Sequence, residues 1–125
     1  MANENTLLLI SKQAAADLSS SQYRIISQDS DGKIEDVSAS TEHPFGVLQN
    51  KPVTDEAGSV APVGQGGISK IQLGVTMATD AEISFDANGK AAPALAGKYT
   101  VGVLTKGGAA DELGEVLLSN SSIKA

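Results

Sequence analysis

The sequence is short of several residue types that often carry chemistry. It has no cysteine, no tryptophan, one histidine, one arginine, two phenylalanines and two tyrosines in 125 residues. Without cysteine it can form no disulfide framework, thiol nucleophile or thiolate metal site. With so few aromatic rings it lacks the flat faces on which sugars and unpaired bases usually stack. These absences argue against functions that depend on thiols or on aromatic stacking.

Positive charge and long apolar runs are scarce as well. Nine basic residues stand against fifteen acidic ones, for a formal net charge of −6, and Arg24 is the single arginine. Phosphate backbones are bound by clusters of Lys and Arg, so no nucleic-acid partner is expected. The apolar run at residues 7–10 is too short for a signal-peptide core or a membrane span. The sequence thus predicts a soluble protein made in the cytoplasm, with no membrane partner.

Short apolar runs separated by turn residues make up most of the chain. Runs of this kind are typical of β-strands, whereas no long stretch has the 3.6-residue period of a helix. The predicted strands are residues 23–27, 33–37, 45–49, 59–63, 68–75, 82–85, 99–104 and 114–118. Any helix should be a single turn near residues 13–18 or 109–113.

Two stretches of the chain resemble each other at a spacing of 56 or 57 residues. Gly46-Val47-Leu48 returns as Gly102-Val103-Leu104, and Asp31-Gly32-Lys33 returns as Asn88-Gly89-Lys90. Further matches join Ile26 to Ile83, Ser27 to Ser84, Asp29 to Asp86, Glu56 to Glu112, Gly58 to Gly114 and Val60 to Val116. Two copies are too few for a solenoid. We therefore predict a duplicated β unit, near residues 23–63 and 80–119, that closes on itself.

Together these patterns predict an all-β fold. It is a small compact β-barrel or β-sandwich, of the β-clip or β-tulip kind, with an internal duplication and an extended N-terminal arm. Residues 1–22 form the arm and linker, and residues 23–125 form the β domain. Residues 6–10 either add as a strand to the sheet edge of another chain or form an ordinary first strand of the same domain. The sequence leaves both alternatives open.

Two features suggest catalysis or metal binding, and each has a simpler explanation. His43 could be the base of a Ser-His-Asp triad, but the sequence has no Gly-x-Ser-x-Gly elbow, which favours a surface histidine. The strings that begin at Asp29 and Asp86 match only the start of a calcium loop. The twelfth position, where an EF-hand needs a bidentate Glu, holds Ser40 or Gly97. Hairpin turns explain both strings, because glycine accepts a positive φ there.

Two further features are weighed in the same way. The glycines at residues 64–67 lack the lysine and the following helix of a phosphate cradle, so they predict a turn. The pairs Asp55-Glu56 and Asp111-Glu112 could supply an acid and a base, but solvated loop charges repeated in two copies explain them better. The sequence therefore predicts no catalytic, metal-binding or cofactor-binding residues, no cofactor and no enzymatic activity.

Several strings are shared with a known family. They are Ala16-Asp17-Leu18-Ser19 leading to Gln22-Tyr23, Asp31-Gly32-Lys33, Gly46-Val47-Leu48-Gln49-Asn50-Lys51-Pro52, Gly102-Val103-Leu104 and Glu115-Val116-Leu117-Leu118. Through these strings the chain resembles the capsid cement (head decoration) proteins of tailed bacteriophages. The resemblance covers about residues 16–118 and rests on turns and core rather than on a catalytic site. The polar loop at residues 38–42 and the glycines at 64–67 depart from it in length.

The resemblance implies a virion protein on the outer surface of the capsid, made in the host cytoplasm. Such a protein is a homotrimer that binds the major capsid protein and clamps neighbouring coat subunits together. The resemblance also implies an arm that is loose when free and ordered on the shell. The predicted capsid-binding residues in that arm are Thr6, Leu7, Leu8, Leu9 and Ile10.

Two other functions stay open from the residues alone. One is a soluble small-molecule or glycan-binding β-barrel module, although the shortage of Trp and Tyr counts against it. The other is a small β enzyme that works from Asp55 and Glu56.

Overall fold

Ten short strands build the protein in the computed structural model, which describes residues 7–124. The strands are β1 (Ile10–Gln13), β2 (Ile25–Gln28), β3 (Ile34–Asp36), β4 (Gly46–Leu48), β5 (Ala57–Pro62), β6 (Ile68–Gln72), β7 (Glu82–Phe85), β8 (Ala91–Pro93), β9 (Tyr99–Lys106) and β10 (Leu113–Ile123). Residues 7–124 contain no helix, and so none that could cross a membrane.

The strands form two antiparallel five-stranded sheets with the same internal order. The first sheet runs β1-β5-β4-β2-β3, and the second runs β6-β10-β9-β7-β8. Each strand of the first sheet thus has a counterpart five strands later in the second. The sheets do not close into a barrel. The predicted all-β class is therefore confirmed, in the form of a compact β-sandwich.

Most predicted strands lie within one to three residues of the observed bounds. Two of the four edge strands differ more: β8 falls where no strand was predicted, and β1 overlaps the strand predicted for residues 6–10 only at Ile10. Both lie in segments that are rich in alanine or polar residues and lack a run of strand formers. Their backbones are held by neighbours, since Ile10 pairs with Val60 and Phe85 pairs with Ala91. The strand in the N-terminal segment begins at Ile10, and residues 7–9 before it are not in a strand.

Buried apolar side chains form two clusters, which we call the small and the large cluster. The small cluster belongs to the first sheet and its loops and consists of Ala14, Leu18, Ile26, Ile34, Leu48 and Val60. The large cluster centres on the second sheet and includes Ile71, Phe85 and Leu118. It also takes Ile25, Val37, Val47 and Ala61 from the first half of the chain. The large cluster therefore holds the two sheets together.

Main-chain hydrogen bonds join the two sheets beside the large cluster. The Ile25 amide donates to the Gly89 carbonyl at 2.7 Å, and the Gln72 amide donates to the Tyr23 carbonyl at 2.8 Å. Gly89 lies in the β7–β8 turn with a φ of 77°. A side chain at this position would collide with the carbonyl of Ile25. Glycine is thus required here both for the turn and for the close approach of the sheets.

Candidate docking surface

The segment predicted to bind a capsid ends at the edge of the first sheet. Thr6 lies outside the described residues. Ile10 begins β1 and packs against the small cluster, whereas Leu7 is half-buried against the large one. Leu8 and Leu9 between them are 57% and 48% exposed. The structure therefore separates two anchored side chains from two apolar side chains that face solvent, and capsid binding by any of them stays a prediction.

A glutamine side chain fastens this segment to the body of the protein. Gln65, in the β5–β6 turn, accepts a hydrogen bond from the Leu8 amide at 2.7 Å through Oε1. Its Nε2 donates to the carbonyl of Leu8 at 3.0 Å and to that of Pro62 at 2.9 Å. Proline has no amide hydrogen, so Pro62 cannot extend the β1–β5 ladder by donating to Leu8. The Gln65 side chain takes the place of that missing main-chain donor.

A groove between the two halves of the chain receives Leu7. It has a volume of about 220 Å³ and is lined by Leu7, Tyr23 and Gln49 on one side and by Ser69 and Glu115, among others, on the other. Gln49 donates to Ser69 Oγ at 2.9 Å across this junction. The position of Leu7 thus couples the start of the described chain to the contact between the sheets.

A larger depression is lined in part by Gln65. It has a volume of about 470 Å³ and is bounded by the β5–β6 turn and by the middle of β10. Val103 and Leu117 give it an apolar lining, and Leu117 is 41% exposed. Ser119 and Asn120 supply the polar rim. Gln65 lines this depression and also bonds Leu8, so the depression and the exposed Leu8 and Leu9 lie near the same turn.

The single histidine lies on the surface and contacts an aromatic ring. His43 is exposed, and its ring meets the ring of Tyr99 edge to face, with 5.1 Å between the centroids. Between residues 7 and 124, no group of three or more His, Asp or Glu side chains is arranged to hold a metal ion. The explanation of His43 as a surface residue agrees with this geometry.

The two calcium-like strings form matching hairpin turns. Asp29 Oδ1 accepts hydrogen bonds from the amides of Asp31 and Lys33, both at 2.9 Å. Asp86 Oδ1 does the same for Asn88 at 2.9 Å and Lys90 at 3.0 Å. In each turn, the carboxylate that would start a calcium loop is directed at its own backbone.

The paired acids in the two copies also serve turns. Glu56 accepts from the Val53 amide at 2.9 Å, and its counterpart Glu112 accepts from the Ala109 amide at 2.7 Å. The adjacent Asp55 and Asp111 both have a φ of 68°, a left-handed conformation that aspartate tolerates. The carboxylates within each pair are therefore used separately, with no shared proton-transfer geometry.

An ion pair accompanies the second of these turns. Lys90 Nζ lies 2.8 Å from Asp111 Oδ1. The hydrogen bond from Lys90, followed by the attraction of its charge, lowers the pKa of the Asp111 carboxyl below its ordinary value. In the first copy the corresponding pair, Lys33 and Asp55, is wider at 3.8 Å. These charges lie on the surface and stabilise turns.

Sequence reasoning missed the residues that shape the depression. The sequence predicts only a glycine-rich turn around Gln65, and nothing in its neighbours indicates that its side-chain amide reaches back 57 residues to Leu8. Leu117 could have been found, because the run Val116-Leu117-Leu118 puts apolar side chains on both faces of one strand. An alternating strand at the surface would carry a polar residue there.

No protein-family model and no curated protein matches the chain. Among solved structures, the fold is similar to that of the head fiber gp8.5 N base in bacteriophage phi29. The TM-score is 0.68 and the sequence identity is 16%, over 96% of this chain and 100% of that one. At this identity the comparison shows a shared fold along almost the whole chain.

Proposed function

We propose that the protein is a structural component of a phage head. In this proposal it binds the outer surface of the capsid as a homotrimer and stabilises contacts between subunits of the major capsid protein. One observation carries the proposal: 96% of this chain shares its fold with the whole of the head fiber gp8.5 N base. The strings it shares with cement proteins point to the same part of a virion.

The exposed apolar residues at the N-terminal segment support a docking role. Leu8 and Leu9 project into solvent next to the Gln65 turn. We propose that they and the residues before them reach the coat, while Ile10 stays in β1 as the fixed end of the arm. Three arms on one trimer would bind with avidity, because the second and third contacts form at a high effective concentration. Weak individual contacts are then sufficient for stable attachment.

The alternative functions have less support. The sheets do not close into a barrel, the groove has Tyr23 as its one aromatic lining residue, and the depression has none on which a sugar could stack. The enzyme alternative relied on Asp55 and Glu56, which instead stabilise a turn. The similar fold belongs to a structural protein of a phage.

The test is to measure this chain on gradient-purified particles. Quantitative mass spectrometry should find it in a fixed ratio to the major coat chain, near one to one, and mild denaturant should remove it without opening the head. A ratio near zero would remove the head role. Rebinding of purified chain to stripped particles, followed by sedimentation, then tests the arm. Leu8→Asp with Leu9→Asp should abolish rebinding, whereas Val53→Asp, at an equally exposed site (45%), should retain it.

A further inference from the structure

Equivalent rows of side chains run across the two sheets. In the first sheet Ile25 pairs with Val47, and Val47 pairs with Ala61. In the second sheet the same strands contribute Glu82, Val103 and Leu117, paired in the same way. We call these the first row and the second row. Because both the strand order and the pairing agree, the two rows occupy equivalent positions on their sheets.

The two rows differ in what covers them. Ile25, Val47 and Ala61 are at most 1% exposed, because the first row belongs to the large cluster beneath the second sheet. In the second row Val103 is only half-buried and Leu117 is 41% exposed, and both line the 470 Å³ depression. The chain therefore buries one copy of this row and leaves the other accessible.

The chain itself shows what kind of surface covers such a row. The second sheet covers the first row with side chains of the large cluster that include Ile71 and Phe85, both fully buried. Their counterparts in the first sheet are Lys12 and Gln28. Lys12 pairs with Gly58 as Ile71 pairs with Gly114, and Gln28 pairs with Ile34 as Phe85 pairs with Ala91. A second copy stacked head to tail would bring Lys12 and Gln28 onto the accessible row. These polar side chains block an open stack, which would grow into a filament.

Charge favours contact between second sheets. Glu115 lies between Lys70 on β6 and Lys106 on β9 in the strand register. At the end of the second row, Glu82 pairs with Lys124 at 2.7 Å. This region thus carries three lysines and two glutamates, although the chain as a whole carries a net charge of −6. Two acidic molecules repel each other least where their local charge is balanced.

We propose that the second row is the contact between copies of this chain. The copies meet around a three-fold axis, with the second sheet of each copy facing the axis and Val103 and Leu117 of the three copies converging on it. Closed symmetry of this kind is the usual form of soluble oligomers. The inference rests on the homotrimer in the proposed function and names the surface that forms it. It requires no capsid, so it can be tested in solution.

The experiment is light scattering coupled to size exclusion on the full chain over a range of concentrations. Wild type should have the mass of a trimer, and a dimer would contradict the three-fold contact. Leu117→Glu should weaken assembly more than about tenfold, because a carboxylate would be desolvated in the contact. Leu95→Glu is the matched control, since Leu95 is 56% exposed outside the row. Circular dichroism and melting should show that both variants remain folded.

Cross-linking tests the same contact without adding the charge that Leu117→Glu introduces. The chain has no cysteine, so Leu117→Cys carries a single thiol that a short bis-maleimide should link between copies, whereas Leu95→Cys should not link. A monomeric wild type, or a Leu117→Glu variant that assembles like wild type, would overturn the inference. A monomer that still binds particles leaves the shell role intact and refutes only this surface. A wild type that forms trimers through Leu117 but does not bind particles would support this surface and refute the shell role.

Discussion

The Gln65 side chain makes both hydrogen bonds that a paired strand residue would make with Leu8. Its Oε1 accepts from the Leu8 amide, and its Nε2 donates to the Leu8 carbonyl. In the second sheet the matching position is filled by main chain. There the Leu118 amide donates to the Gly67 carbonyl at 2.8 Å. The difference arises because the counterpart of Leu118 in the first sheet is Pro62, and proline has no amide hydrogen. One side chain therefore controls where the N-terminal segment leaves the body of the protein.

Gln65→Leu should release Leu8 while both sheets stay folded. We expect the Leu8 amide to exchange with solvent at least about tenfold faster, because its hydrogen bond holds it against opening. Hydrogen exchange followed by NMR measures this. Gln13→Leu is the control, since the side-chain amide of Gln13 donates to Asp55 and makes no bond to Leu8. Unchanged protection of Leu8 in Gln65→Leu would show that other contacts hold the segment.

Two glycines in equivalent turns should respond differently to the same substitution. Gly32 and Gly89 have φ values of 78° and 77°, so alanine strains both by about 1–2 kcal/mol. Only at Gly89 would the new methyl group collide with the Ile25 carbonyl, while at Gly32 the nearest atom is 4.0 Å away. Gly89→Ala should therefore lower the free energy of unfolding more than Gly32→Ala, by at least about 1 kcal/mol. Equal losses in urea denaturation would contradict a tight contact between the sheets at this turn.

The Lys90–Asp111 pair predicts a specific titration. Because the folded state holds the pKa of Asp111 below its ordinary value, the stability it contributes is present above that ordinary value. This contribution is lost as the pH falls through the lowered pKa of the folded state. Lys90→Met should raise the Asp111 pKa towards its ordinary value in a carboxyl-carbon NMR titration. Lys51→Met, in the other half of the chain, should leave it unchanged. A pKa of Asp111 that is insensitive to Lys90 would refute the pairing.

A buried hydroxyl offers a route to a more stable protein. Within residues 7–124, Ser84 Oγ is the buried side-chain atom that lacks a hydrogen-bond partner. Ser84→Ala should raise the free energy of unfolding by about 1 kcal/mol, because an unsatisfied polar group no longer has to be buried. The control is Ser27→Ala, at the equivalent position, where the hydroxyl lies 3.5 Å from Glu42. A loss of stability in Ser84→Ala would mean that the hydroxyl has a partner in solution.

Much of the fold could be predicted because the signals are local. The turns at Asp29 and Asp86 are specified by a carboxylate and a glycine three residues later. The strands that lie inside the sheets have β-branched or alternating residues. Sequence patterns could not reveal β8, which is alanine and proline and owes its strand geometry to pairing with β7. Its conformation is set by tertiary contact, which local propensity does not contain.

The candidate surface was harder to predict for the same reason. The run Val116-Leu117-Leu118 indicates an apolar side chain on each face of β10, but only the structure shows that Leu117 stays 41% exposed while its counterpart Ala61 is buried. The stacking order of the sheets decides which row is buried, and this order depends on contacts such as Gly89 to Ile25. The repeat in the sequence indicated two similar units but carried no information on which unit would cover the other.

The composition of the two clusters also sets an order of events during translation. Every residue of the small cluster lies between Ala14 and Val60, so all of its residues are synthesised, and leave the ribosome, before those of β6. The second sheet then packs onto a face of the first sheet that has already been synthesised, because the large cluster includes Ile25 and Val47 of the first sheet. Synthesis and packing run in the same direction. In a circular permutant that begins at β6, the second sheet would emerge with its apolar face uncovered, and the nascent chain would be exposed to aggregation.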